Sequence, residues 1–192
     1  MQHTSHWLRA MLALTLLTLT SACSNYVYSP DPTAEAFFVK KGMSVAEQNT
    51  KAATALQDKG FETEETAKGV IVYLPPTIYF EDAKSDINLL ARTKIAEIAK
   101  EVNKQYLRAR NVEISGHTDS VGDEQINLGL SKQRAEAATS ELVFSKVQQA
   151  RLITTWYGES KPRFEEFNED GSVNQENRSL NRRVEFVILN PS

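Results

Sequence analysis

Residues 116–137 read GHTDSVGDEQINLGLSKQRAEA, a strand end, a glycine-bounded loop and a helix start in succession. Upstream, Val112-Glu-Ile-Ser-Gly116 alternates as a strand, with Val112 and Ile114 on one face. Gly116 and Gly122 permit tight turns or the close approach of a ligand. Ser131 is read as the cap of a helix that continues through Ala135, Ala138 and Leu142. That reading puts Arg134 about one turn into the helix, near its positive end. Asp119 follows the strand directly, a position from which rigid scaffolds often present contact residues. An acid and a base shown together suit a zwitterion. Asp119 can hold an ammonium, and Arg134 can form a bidentate pair with a carboxylate. Helix N-terminal amides, with Ser131 and the loop before it, add donors for the same anion. The structural alternative is that Asp119 caps a turn and Arg134 pairs with it to brace the loop. Local pattern leaves both open.

Working outward, Gly69-Val-Ile-Val-Tyr-Leu74 is a strand candidate halted by Pro75-Pro76, and Thr77-Ile-Tyr-Phe80 is a second short one. Ser85 or Asp86 can cap a helix whose Ile87, Leu90, Ala91, Ile95, Ile98 and Val102 recur at helical spacing. Residues 152–157, LITTWY, read as a strand, and Arg183–Leu189 as the last, with Val184, Phe186 and Ile188 alternating. Strands interleaved with helices predict an α/β fold, a mixed sheet with helices packed on it. Residues 69–189 are long enough for one modest core.

Towards the N-terminus, residues 43–68 read as a helical linker or packing helix. Ser44-Val-Ala-Glu47 matches a capping box, the run to Asp58 is helical by propensity, and Gly60 stops it. Residues 24–42 hold two prolines and many small polar residues, and read as a tether with Phe37, Phe38 and Val39 as a local apolar patch. Residues 1–22, MQHTSHWLRAMLALTLLTLTSA, have the layout of a secretory signal peptide: Arg9, an apolar run, then small residues at Ser21 and Ala22. The apolar run is shorter than a membrane span and interrupted by threonines. Leu-Thr-Ser-Ala-Cys at 19–23 resembles a lipoprotein cleavage signal, with Thr20 where that pattern usually has Leu. The resemblance makes Cys23 the acylated first residue of a lipidated tether, 23–42. Ser24 rather than Asp at the next position looks like the pattern of lipoproteins sorted to the outer membrane. A soluble periplasmic protein that keeps a free thiol is the alternative.

Composition excludes more than it includes. The chain has 192 residues, a net charge of -3, one cysteine and three histidines. Removal of 1–22 takes Arg9 and no acid, leaving -4 and His117 as the sole histidine. Such a balance argues against a nucleic-acid binder. One cysteine forbids an internal disulfide or a thiolate metal cluster. One histidine makes a zinc hydrolase improbable, Cys23 is taken as the lipid site, and Ser120 lacks a nucleophile-elbow context. The expectation is a binding protein with neither metal nor cofactor, in which His117 orders the Asp119 loop.

The motifs then combine. Gly-His-Thr-Asp-x-x-Gly, with Asn127, Leu130, Ser131, Arg134 and Ala135, Tyr157-Gly-Glu-Ser-Lys-Pro162 and Asn181-Arg-Arg-Val-Glu-Phe186, resembles the OmpA-like peptidoglycan-binding domain over residues 69–189. The resemblance implies a two-layer sandwich of the βαβαβ type and non-covalent binding to the peptide stem of peptidoglycan, notably diaminopimelate. On it, Asp119 holds the diaminopimelate amine and Arg134 its carboxylate. Asn127 and Leu130 shape the pocket, while Thr118 and Arg183 line it or position the loop. The implied partners are the cell wall and, through the lipid, the outer membrane, with the domain in the periplasm. Other envelope proteins are possible partners.

Residues 163–180, RFEEFNEDGSVNQENRSL, are longer and more acidic than the loop common in that family. They are read as a tolerated insertion, with an extended binding rim or a contact for another envelope protein as alternatives. Two further settings stay open. One is an accessory subunit of an envelope machine (flagellar motor, Tol-Pal-like or secretion assembly) that wall binding would position. The other is a scaffold in which Asp119 and Arg134 pair only with each other.

Overall fold

Val112, Ile114, Val184, Phe186 and Ile188 are all fully buried, and their alternation along two strands fixes which face of the sheet meets the core. The structure, a computed structural model, describes residues 42–74 and 87–191 together with two short strands near the N-terminus. The chain divides into two units, Met1–Ser44 and Val45–Ser192. In the first, β1 (Tyr26–Tyr28) and β2 (Phe38–Lys40) pair antiparallel, with Val27 opposite Val39, inside the segment expected to be a tether. The signal peptide, Cys23, the strand expected at 77–80 and the caps expected at Ser85 or Asp86 lie outside the described residues.

In the second unit the order is α1 (Val45–Gln57), β3 (Glu62–Thr66), β4 (Gly69–Leu74), α2 (Leu89–Val102), β5 (Val112–His117), α3 (Glu124–Phe144), β6 (Leu152–Trp156), α4 (Gln175–Asn181) and β7 (Arg183–Leu189). The sheet order is β3-β4-β7-β5-β6. Only β5 and β6 run parallel; the other neighbours are antiparallel. This is a mixed α/β sheet with helices packed against it. Ala52, Ala53 and Leu56 of α1, Ile95, Ile98 and Val102 of α2, and Ala135, Ala138 and Leu142 of α3 join the core face. The described core runs from Ala52 to Ile188, so the second unit carries its own core.

Three sequence expectations need correction. Residues 43–68 hold a strand as well as a packing helix, and both lie in the compact unit Val45–Ser192. β3 reads Glu-Thr-Glu-Glu-Thr and has no apolar face; as an edge strand it is held by backbone pairing to β4. Asn88 caps α2, its side chain accepting a hydrogen bond from the Ala91 amide at 2.9 Å. Finally, α3 starts at Glu124, capped by Asp123, whose carboxylate accepts from the amides of Gln125 and Ile126. Ser131 is therefore mid-helix and Arg134 lies about three turns in, away from the helix's positive end. Within the helix, Thr139 bonds Thr154 of β6 at 2.8 Å, which fixes the polar 137–140 stretch against the sheet.

Candidate functional site

Backbone contact between β5 and α3 builds the site. A Cβ on Gly116 would lie 2.0 Å from the Ser131 carbonyl oxygen, so only glycine lets the helix pass this close to the strand end. The Gly158 amide donates to Ser131 Oγ at 3.0 Å, and the Thr118 amide donates to the Gly158 carbonyl at 2.9 Å. Gly158 has φ +55° and lies against the backbone of Leu128. These contacts lock the start of the 118–122 loop to the first half of α3.

Asp119 is 7% exposed. Its Oδ2 accepts from Arg182 Nη1 at 2.6 Å and its Oδ1 accepts from the Val121 amide at 3.4 Å. Asn127 Nδ2 donates to the carbonyls of Asp119 and Val121 and to Glu159 Oε2, at 2.7 to 3.3 Å. Thr118 Oγ1, next along the chain, is buried and makes no hydrogen bond. Such a buried hydroxyl is a vacant donor and acceptor. On α3, Asn127, Ser131 and Arg134 are all buried at spacings of four and three, so they share the face turned to the sheet. Arg134 thus carries a guanidinium that is 4% exposed on the same helix face as the residue that ties down the Asp119 loop. Leu130 flanks this face and is half-buried.

Arg183 belongs elsewhere. It pairs in register with His117, and since Gly116 faces α3 both side chains point to the opposite side of the sheet. Its guanidinium donates to Glu185 and to the carbonyls of Asn181 and Lys161, so it braces the 158–164 turn from behind. The arginine that reaches Asp119 is its neighbour Arg182, at the end of α4. Alternation along β7 shows only that Arg183 faces away from the core, because it shares its phase with Glu185.

His117 is 2% exposed and tilted against the Tyr157 ring, with centroids 5.4 Å apart. Burial, followed by the charge of Arg183, lowers its pKa to about 3. It is neutral at physiological pH, so its 3.7 Å approach to Glu185 is not an ion pair. Residues 163–180 are more than an insertion. Glu166, from that loop, accepts from the Ser120 amide and hydroxyl, from Asn181 Nδ2 and from Arg178 Nε. Burial on its own would raise the Glu166 pKa, but the bonds from Ser120 and Asn181 and the Arg178 charge outweigh it and hold the carboxyl below 4.5. The acidic loop therefore fastens the residue next to Asp119. One glutamate among many in an acidic segment carried no signal of this.

Asp119 in the loop after β5 and Arg134 on the sheet-facing side of α3 thus supply a buried carboxylate and a buried guanidinium, the group types that hold an ammonium and a carboxylate. Among the described residues no group of three or more His, Cys, Asp or Glu could hold a metal ion.

Residues 79–178 match the family model described as the OmpA family. The chain is 25% identical over 141 residues to the "Probable lipoprotein YiaD" of Escherichia coli K12, covering 73% of this chain and 61% of that one. It is 34% identical over 86 residues to the "Peptidoglycan-associated lipoprotein" of Pseudomonas aeruginosa, covering 45% and 49%. A 37% identity over 143 residues to "Photosystem I P700 chlorophyll a apoprotein A2" of Gloeobacter violaceus covers 72% of this chain and only 16% of that protein. The chain spans 16% to 61% of the length of such relatives. The solved periplasmic domain of Helicobacter pylori MotB superposes with a TM-score of 0.59 at 26% identity, covering 69% of this chain and 83% of that one.

Proposed function

We propose, since the chain belongs to the OmpA family and carries its peptidoglycan-binding domain, that Asp119 and Arg134 grip the zwitterionic end of diaminopimelate in the wall's peptide stem. The observation that carries this reading is a buried acid and a buried base served by one loop and one helix face, with Thr118 Oγ1 unused. The ligand ammonium takes Asp119, displacing the half-exposed Arg182 that neutralises the carboxylate in the free protein. The ligand carboxylate takes Arg134 as a charge-assisted pair, and Thr118 Oγ1 adds one hydrogen bond. Asn127 and Leu130 shape the pocket, and Arg183 and Glu166 hold its walls. The role is structural binding and not catalysis.

The domain works in the outer-membrane and periplasmic compartment, where relatives named outer membrane porin F and peptidoglycan-associated lipoprotein act. Two settings suit the grip: a plain anchor from outer membrane to wall, or a subunit that fixes an envelope machine to the wall. The second has the broader support, because the MotB periplasmic domain shares the fold over 83% of its own length. In either setting Cys23 is proposed as the acylated residue that holds the chain at the membrane.

A pull-down on purified sacculi tests the pocket. The Val45–Ser192 fragment should be retained, and Asp119→Ala and Arg134→Ala should each be lost while still folded. Retention of both variants at the level of the unmodified fragment would remove the assignment. Palmitate labelling that survives Cys23→Ala would remove the lipid site.

A further inference from the structure

At the opposite end of the sheet lies a second recess, of about 250 Å³, lined by Asn103, Arg108, Lys146, Gln148 and Arg151. Three of its five residues are cations and none is an acid. Among the described residues, no carboxylate lies within ion-pair distance of Arg108, Lys146 or Arg151.

Part of this charge has a structural use. Arg151, 6% exposed, donates to the carbonyls of Val102, Leu107 and Arg110, meeting the negative end of α2. Its Nη1 makes only a 3.5 Å contact to Asn103 and remains open to the recess. The ends of α2 and α3 together contribute about one negative charge, which leaves the recess about two positive charges in surplus. Among the described residues Lys146 is the non-glycine residue at positive φ, +71°, just past the end of α3 where glycine is the usual choice. Asn103 Nδ2 donates to the Lys146 carbonyl and so joins the two helix ends that form the recess.

Position adds the second argument. β5 separates this recess from Asp119 by the length of a six-residue strand, about 20 Å. A hydrogen-bond chain leads from the recess to α1: Arg151 Nε donates to the Arg110 carbonyl, and Arg110 Nη1 donates to Asn49 in the second turn of α1.

We propose that the Arg108–Lys146–Arg151 recess binds a phosphate oxyanion, as presented by the headgroups of anionic phospholipids. Two surface cations with no carboxylate partner and one buried guanidinium form the donor set, and arginine offers the forked geometry that phosphate oxygens accept. Headgroup contact at this end of β5 would leave the Asp119 loop, at the other end, clear of the lipid.

The test is a titration of the Val45–Ser192 fragment with inorganic phosphate, followed by amide NMR, with vesicle flotation in parallel. Saturable shifts are expected at Asn103, Lys146, Gln148 and Arg151, weakened at least tenfold in the Arg108→Gln/Lys146→Gln variant. Phosphatidylglycerol–phosphatidylethanolamine vesicles should float the fragment and pure phosphatidylcholine vesicles should not. Phosphate binding without flotation would support the site and make free phosphate its ligand. No saturable shift, or equal shifts in the double variant, would overturn the proposal. Sacculus retention separates this inference from the wall-binding one. The double variant should be retained there like the unmodified fragment, whereas failure of the Asp119 reading would leave the phosphate titration unchanged.

Discussion

Acidification should destabilise the fold through one residue, His117. It is the only histidine after His6, and burial together with the Arg183 charge takes its pKa from 6.5 to about 3. The folded value lies below the unfolded one, so the unfolded chain binds the extra proton between them. Stability is therefore whole above pH 6.5 and falls as the pH drops towards 3. With those two values the loss is about 2 kcal/mol at pH 5 and about 3 kcal/mol at pH 4. The side chain is almost wholly inaccessible, so solvent screening takes little from these figures. Urea unfolding of the Val45–Ser192 fragment at pH 7.5 and pH 5 reads the effect as a midpoint decrease of about 1 M, given a slope near 2 kcal/mol/M. His117→Gln keeps a neutral polar side chain and should lose less than about 0.5 kcal/mol over the same interval. Glu62, Glu101 and Glu166 all sit below 4.5 and enter only at lower pH, so the window belongs to the histidine. Equal losses in the variant and the unmodified fragment would refute the assignment of a buried neutral His117.

Gly116→Ala places a methyl 2.0 Å from the Ser131 carbonyl and should force α3 off the strand end. About 3 kcal/mol of destabilisation and weakened sacculus retention are expected from thermal unfolding and pull-down. Glu166→Gln removes the charge that Arg178 and Ser120 share and should cost about 1–3 kcal/mol. Faster amide exchange at Ser120, with the core amides unaffected, would show that the loss is local. Arg182→Ala removes the cation that competes for Asp119 and should tighten stem-peptide binding about threefold by calorimetry. Loss of binding would instead make Arg182 a ligand contact.

What the sequence disclosed depended on whether burial leaves a periodic trace. β5 and β7 are legible because Val112, Ile114, Val184, Phe186 and Ile188 on the core face alternate with polar or outward-facing residues. α2 is legible from Ile95, Ile98 and Val102, although its cap is Asn88, to which Ser85 and Asp86 are chemically equivalent candidates. β3 was hidden, since an edge strand of Glu and Thr has no apolar side to show. The first two turns of α3 read as loop because Gly116 and Gly122 open the segment and Ser131 is as suitable a cap chemically as Asp123, which the structure shows in that role. Of the site, Asp119, Asn127 and Arg134 could be named from spacing within one segment. Arg182 and Glu166 could not, because they meet the loop from 63 and 46 residues away.

Calorimetry with two stem peptides that differ at one residue tests the central claim most directly. Diaminopimelate carries an ammonium and a carboxylate at its far end, and lysine carries the ammonium alone. The account predicts that the diaminopimelate peptide binds at least tenfold more tightly, and that Arg134→Ala brings it down to the level of the lysine peptide. Equal affinity for the two peptides, or a preference that persists in Arg134→Ala, would contradict it.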